Sequence, residues 1–267
     1  MEFSASRAVV PELIVQVSAG STNGELVDRA RAEELESFTT LVTTDQTEGR
    51  GRAGRSWVTP PGVALAASVY IAPRDAAGVP LSFDAFGWLP IAAGVAMAET
   101  VAAVLPGASV GFKWPNDVLV DELKVCGVLA ELVAERSAVV LGAGVNLETT
   151  AEQLPVSTAT SLALAGAMVE DRQPDAILAA YLRRLRELVD AFARAGGDAT
   201  ASGLREHARA ACLTLGRDIR VELPGRGIVE GTARDLDADG RLVVELHEKV
   251  GEVLTVSAGD VTHVRHA

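Results

Sequence analysis

Gly49-Arg50-Gly51-Arg52-Ala53-Gly54-Arg55-Ser56-Trp57 sets three arginines and three glycines within seven residues of a chain whose formal net charge is −12. Glycine lets a backbone turn tightly and aim its N–H groups at a ligand. Arginine offers a planar fork of donors that suits carboxylate and phosphate. The interleaving makes an anion cradle in an acidic molecule. Gly49, Gly51 and Gly54 also spell the glycine spacing of a dinucleotide-binding turn, which needs a helix directly afterwards. Pro60-Pro61-Gly62 follows instead and blocks helix propagation, so a doubly wound nucleotide fold is set aside. A phosphate-binding loop ending in Gly-Lys-Ser/Thr does not occur in the chain.

Outward from this loop, Thr39 to Thr44 is a β-branched strand that leads into it through Asp45 and Gln46. Val63 to Ala72 is a nearly all-apolar strand that leaves it, expected to be buried on both faces. Upstream, Glu12 to Val17 is a short strand. A turn carrying Ser21-Thr22-Asn23 then precedes a helix with Leu26, Val27, Ala30 and Leu35 on one face. Capping that helix uses one of the three polar side chains and leaves two to spare. Downstream, a very apolar helix is expected from about Ser82 to Leu105, kinked or delayed by Pro90. Phe112 to Val118 is a strand broken at Trp114-Pro115-Asn116-Asp117. Strands from Lys124 and from Val139 to Val145 follow at hairpin-like spacing, which argues for antiparallel pairing. Thr160-Ser161-Leu162 precedes an expected short helical piece. An amphipathic helix runs from Pro174 to about Phe192 and stops at Ala195-Gly196-Gly197. Another is expected from Ala199 to Cys212.

The tail changes character. Ile219–Leu223, Ile228–Leu236, Arg241–Leu246 and Val253–Val256 read as short strands, with Asp237-Ala238-Asp239-Gly240 as a hairpin turn. The chain is therefore expected to be α+β. A mixed sheet packed with helices spans residues 1–212, and a small SH3-like β-barrel spans residues 213–267.

Composition limits the function. The chain has 267 residues and is 48% apolar, enough for a sizeable core. Its acidity disfavours nonspecific nucleic-acid binding, which needs a broad basic face. Cys126 and Cys212 lie far apart and suit neither a disulfide framework nor a metal site. No basic-then-apolar leader is visible. The longest uncharged run, Ser56 to Pro73, is interrupted by prolines and too short to span a bilayer. A soluble cytoplasmic protein is expected, with no membrane partner.

Four stretches call for one explanation: Ser21-Thr22-Asn23, Gln46 with the Gly/Arg loop, Lys113-Trp114-Pro115-Asn116-Asp117, and Lys124 with Gly127. In that order they resemble the motifs of the biotin protein ligases, which activate biotin with ATP and attach it to a lysine of a biotin carboxyl carrier domain of acyl-CoA carboxylases. The resemblance covers the main domain and continues into the tail. It implies ATP and Mg²⁺ as cofactors, with biotin, ATP and the carrier domain as partners. It implies that Lys124 and Arg52 act in catalysis. Ser21, Thr22, Asn23, Gln46, Gly49, Arg50, Gly51, Arg52, Lys124 and Gly127 would bind biotin. Arg52, Arg55, Trp57, Asn116, Asp117, Lys124 and Asn146 would bind ATP or the adenylate. No metal ligand is firmly assigned, and Asp117 is the nearest candidate for Mg²⁺. Capping remains an alternative for Ser21 and Asn146, and an Asx turn for Asn116 and Asp117.

Such chemistry suits the residues. Bringing a carboxylate to a triphosphate requires cations to offset anion repulsion, and Arg50, Arg52, Arg55 and Lys124 supply them. Glu48 departs from the family pattern, which has a small residue there, and Cys126 replaces a common alanine. The same-fold rival is lipoate or octanoate ligation. The rival of another class is a biotin-sensing repressor, disfavoured because only about twenty residues precede Ser21, too few for a helix-turn-helix.

Overall fold

The computed structural model of the protein describes residues 2–223, 227–248, 251–257 and 260–264. Elements follow in the order α1 (Ser4–Arg7), β1 (Leu13–Val15), α2 (Thr22–Ala32), β2 (Thr40–Thr43), β3 (Ala64–Ile71), α3 (Trp88–Val104), β4 (Val110–Lys113), β5 (Asp117–Val120), β6 (Leu123–Val133), β7 (Ala138–Asn146), α4 (Pro174–Arg194), α5 (Leu204–Ala211), β8 (Asp218–Leu223), β9 (Gly227–Leu236), β10 (Leu242–Leu246), β11 (Val253–Val256) and β12 (Asp260–His263). Strands β1 to β7 form a seven-stranded sheet in the order β1-β2-β3-β7-β6-β5-β4. Only β1 and β2 pair in parallel. Strands β8 to β12 form a separate five-stranded antiparallel sheet.

Strand β3 lies in the interior of the large sheet, between β2 and β7, and all eight of its residues are buried. One face carries α3, whose residues from Leu89 to Ala98 are buried apart from Pro90. Pro90 falls in the first turn, where its missing N–H costs nothing, and a short 3₁₀ turn at Phe83–Gly87 precedes the helix. The expected helix from Ser82 is thus delayed to Trp88. With its 3₁₀ lead-in, α3 is long and apolar enough to cross a membrane, but 67% of its most apolar window is buried inside the protein. Helix α4 packs on α3 through Ile177, Leu178, Tyr181, Leu185 and Phe192, all buried. The other face carries α2, which buries Leu26, Val27 and Ala30 with Leu35 in a smaller cluster.

Three expectations need correction. The segment after Leu162 is a run of turns with one 3₁₀ turn at Glu170–Arg172, held by Arg172 donating to Ala167 O and Glu148. The helix expected from Ala199 begins at Leu204, since Asp198 Oδ1 accepts the N–H groups of Thr200 and Ala201 in a turn. The tail has a fifth strand, β12, which pairs with β8.

The residues before Ser21 belong to the main domain. Asp175 at the start of α4 accepts from the Ser6 N–H at 2.8 Å and the Ser6 hydroxyl at 2.6 Å, and β1 pairs with β2. Two tryptophans tie the small sheet to the large one. Trp88 Nε1 donates to Ala238 O at 2.7 Å, and Trp114 Nε1 donates to Gly240 O at 3.1 Å. A side chain at Gly87 would come within 2.8 Å of Asp239 O, so the β9–β10 turn rests directly on the start of α3.

Candidate active site

The Gly/Arg stretch forms an excursion between β2 and β3. It is closed by Gly51 N–H to Arg55 O at 2.7 Å and Trp57 N–H to Gly49 O at 2.8 Å. Gly49 is required at its base, because a Cβ there would lie 2.2 Å from Trp57 O. The loop roofs a cleft of about 310 Å³ whose floor is β6 and β7 and whose far wall is the N-terminus of α2. Five cations line it (Arg50, Arg52, Arg55, Lys113 and Lys124) against one carboxylate, Asp117. In a chain of net charge −12 this is a focused positive site.

Each wall has a distinct chemistry. At the α2 end, Ser21 is the N-cap and its Oγ accepts the Gly24 N–H at 3.4 Å. Thr22 N–H donates to Gln46 Oε1 at 2.9 Å, and the Thr22 hydroxyl lies 3.0 Å from the same oxygen. Asn23 Nδ2 reaches across to Leu129 O at 3.1 Å. At the other end, Lys124 Nζ lies 2.7 Å from Asp117 Oδ1. Arg52 Nη1 donates to Asn116 Oδ1 at 3.0 Å, and Asn116 Nδ2 donates to Val128 O at 3.0 Å. Burial lowers the pKa of Arg52, with Asp117 opposing and Arg55 adding to the effect. Burial likewise lowers Lys113. Both groups gain charge stabilisation when an anion arrives.

Between the two ends the floor is bare backbone. A Cβ at Gly144 would meet Trp57 Cε2 at 2.6 Å, and one at Gly127 would meet Lys124 Nζ at 3.1 Å and Trp57 Cζ3 at 3.4 Å. The Trp57 indole therefore lies flat on the strands, with Nε1 buried and lacking a hydrogen-bond partner. Lys124 Nζ stands 5.8 Å from its ring centroid.

Of the residues singled out in the sequence, the cleft brings together Ser21, Thr22, Asn23, Gln46, Arg50, Gly51, Arg52, Arg55, Trp57, Asn116, Asp117, Lys124 and Gly127. Asn146, like Gly49, is not among its lining residues. Its Nδ2 donates to Thr160 O at 2.9 Å, and the same segment bonds both backbone groups of Lys124, through Thr158 O and Thr160 N. Asn146 thus anchors the strip that seats Lys124. Arg50 lies over Gly24, where a Cβ would meet its Nη2 at 1.9 Å, and its Nη1 is 3.6 Å from Glu131. Glu48 is exposed and outside the cleft lining. Cys126 is fully buried, which pushes its thiol up to about 12 and makes it inert.

Five contributors, Ser68, Gly142, Gly144, Val261 and Thr262, go beyond the residues singled out in the sequence. Ser68 sits beneath Thr22 and Asn23, and Gly142 admits the Asn23 amide, since a Cβ there would lie 2.2 Å from Asn23 Oδ1. Val261 and Thr262 of β12 close the cleft from the small sheet. Glycine in the interior of an apolar strand was the available signal for Gly142 and Gly144. Among the described residues no group of three His, Cys, Asp or Glu side chains could hold a metal ion.

Comparison with known proteins agrees with this geometry. Residues 16–146 match the model of the biotin/lipoate A/B protein ligase family, and residues 214–264 match the biotin protein ligase C-terminal domain. The chain is 38% identical over 256 residues to a biotin--[acetyl-CoA-carboxylase] ligase of Mycobacterium tuberculosis, covering 95% of this chain and 90% of that one. A biotin protein ligase of Aquifex aeolicus in complex with biotin and ATP has the same fold, with a TM-score of 0.72 at 24% identity, covering 96% of this chain and all of that one. A biotin protein ligase of Leishmania major in complex with biotinyl-5-AMP aligns with a TM-score of 0.56 at 25% identity, covering 93% of this chain and 99% of that one. With its cleft, its floor of strand glycines and both of its sheets accounted for, the chain belongs to the biotin protein ligase family.

Proposed function

We propose that this protein is an ATP-dependent biotin protein ligase that modifies a lysine of a biotin carboxyl carrier domain. A biotin carboxylate oxygen attacks the α-phosphorus of ATP and pyrophosphate leaves, giving biotinoyl-5′-AMP. The ε-amine of the acceptor lysine then attacks the anhydride carbonyl, AMP departs, and the amine proton passes to solvent. The observation that carries this reading is one cleft with an end of neutral hydrogen-bonding side chains overhung by Arg50, and a more strongly cationic end, joined by a floor of strand glycines on which Trp57 lies. Ser21, Thr22, Asn23 and Gln46 suit a cyclic urea, which needs both donors and acceptors, better than an aliphatic tail. That favours biotin over lipoate or octanoate.

Lys124 and Arg52 would contact the carboxylate and α-phosphate, stabilising charge as it builds in both steps. Arg50, Gly51 and Gly127 would line the biotin side, and Gly49, outside the cleft lining, would act by closing the base of the loop. Arg55, Trp57, Asn116 and Asp117 would serve the nucleotide, and Asn146 would act through the Lys124 strip. Mg²⁺ typically binds one or two carboxylates plus substrate phosphates. Asp117 suits that arrangement, and the ion would neutralise phosphate charge. Proximity supplies much of the remaining rate enhancement. The domain boundary is placed at 212/213, and the small sheet, which lends Val261 and Thr262 to the cleft, would help to engage the acceptor.

The test is single-turnover transfer. Protein loaded with biotinoyl-adenylate should label a carrier domain, while the acceptor Lys→Arg variant and a lipoyl domain stay unlabelled. Equal labelling of the lipoyl domain would overturn the assignment.

A further inference from the structure

Ser68 carries the one aliphatic hydroxyl on β3, a strand buried along its whole length whose other hydroxyl is the phenol of Tyr70, and it is 0% exposed. Its Oγ lies 2.6 Å from Asn23 Oδ1 and 2.8 Å from Thr22 Oγ1. Backbone partners fix both neighbouring amides. Leu129 O can only accept, so Asn23 must turn its nitrogen there and its oxygen to Ser68. Thr22 N–H can only donate, so Gln46 must turn its oxygen there and keep Nε2 as its remaining donor.

Counting protons then sets the direction of the chain. Ser68 has one hydroxyl proton, and the acceptor-only Asn23 Oδ1 takes it. The 2.8 Å contact between Ser68 and Thr22 therefore needs the Thr22 proton. Gln46 Oε1, 3.0 Å from the Thr22 hydroxyl, has a second lone pair beside the one that takes the Thr22 N–H, but giving it the Thr22 proton would leave the closer Ser68 and Thr22 oxygens facing each other at 2.8 Å with no proton between them. With its proton committed to Ser68, Thr22 Oγ1 presents only lone pairs to the cleft.

We infer that Ser68 is a positioning residue that polarises Thr22 as an acceptor, so that this end of the cleft selects a ring carrying an N–H over one carrying an oxygen at the same place. The inference rests on the reading of biotin as substrate. Ser68 does not line the cleft and touches no substrate; it acts through Thr22 and Asn23.

The test uses Ser68→Ala in the full-length protein, with ATP–pyrophosphate exchange as the readout. The substrates are biotin and the two cyclic carbamates in which one or other ureido N–H is replaced by oxygen. An unmatched buried polar group costs about tenfold to a hundredfold in binding. In the wild type one carbamate should be disfavoured against biotin by roughly that factor, because two sets of lone pairs would face each other. In Ser68→Ala the Thr22 proton is released from Ser68 and can turn to Gln46 Oε1 or to a ring oxygen in the cleft, so the discrimination should shrink to a few-fold while KM for biotin rises and KM for ATP stays unchanged. A variant that merely loosened the fold would weaken all substrates together and leave the ratio alone. An unchanged ratio in Ser68→Ala, or a wild type that does not discriminate, overturns the inference. A wild type without biotin-dependent exchange would instead overturn the substrate assignment itself.

Discussion

In Lys124→Ala the cleft keeps its walls and loses the cation that sits 2.7 Å from Asp117 Oδ1. The two side chains of that pair are 33% and 23% exposed, so solvent screens the pair and its contribution to stability is about 0–1 kcal/mol. Asp117 also keeps Arg52 as a neighbouring cation. The strip that seats residue 124 bonds only its backbone groups, through Thr158 O and Thr160 N, and survives the truncation. The melting temperature should therefore fall by no more than about 2–4 °C. During adenylate formation the loss is different in kind, because charge builds on oxygen where the ammonium stood. One well-placed charge-assisted contact is worth roughly 2–4 kcal/mol there, or about 10²–10³ in rate. The assay is exchange of labelled pyrophosphate into ATP at saturating biotin, with thermal melting on the same preparations. A loss of less than threefold would refute the role given to Lys124. So would a large loss that accompanies a collapse in melting temperature.

Two further outcomes follow from the same geometry. The loop at residues 49–57 places Ala53, Gly54, Arg55 and Ser56 in solvent and is closed by few backbone bonds, so trypsin should cut ligand-free protein there. Biotin with Mg-ATP should protect Arg50, Arg52 and Arg55, and ATP alone should protect less; equal cutting in all three conditions would show either a preformed cradle or a loop that takes no part in binding. His263, beside Thr214, is pushed down to about 4 from its ordinary 6.5 by burial, aided by Lys113 and Arg217. The unfolded chain takes up a proton below about 6.5 that the folded chain refuses until about 4, so stability should fall as pH drops through that window. His263→Gln should flatten the fall, measured as urea midpoints at several pH values, and parallel curves for variant and wild type would remove His263 as its source.

What was legible in the sequence was what depends on local pattern. The nearly all-apolar run of β3, the α4 stripe and the Asp237–Gly240 turn each announce themselves through periodicity or turn chemistry, and each folds as that chemistry requires. The cationic loop was legible because glycine and arginine in alternation have few other uses. Residues whose role depends on distant partners were not. Ser68 reads as a stray polar residue until Thr22 and Asn23 are packed over it from 45 and 46 positions away. Trp88 and Trp114 read as core residues. Both are buried, yet each turns its indole N–H toward a carbonyl of the β9–β10 turn, more than a hundred residues along the chain. Strand β12 lies in a stretch too short and too polar to register by alternation, and pairing with β8 is what makes it a strand. Asn146 was assigned to the nucleotide on resemblance, whereas its hydrogen bond shows a lysine-seating strip.

The central claim is that one cleft activates a biotin carboxylate with ATP, its polar end reading the ureido ring and its cationic end the phosphates. Its most direct test is ATP–pyrophosphate exchange with biotin, lipoate and octanoate run in parallel on the unmodified protein. The account predicts exchange that depends on biotin and stays near background with the other two acids. Exchange supported equally well by lipoate or octanoate, or exchange that needs no added acid, would contradict it.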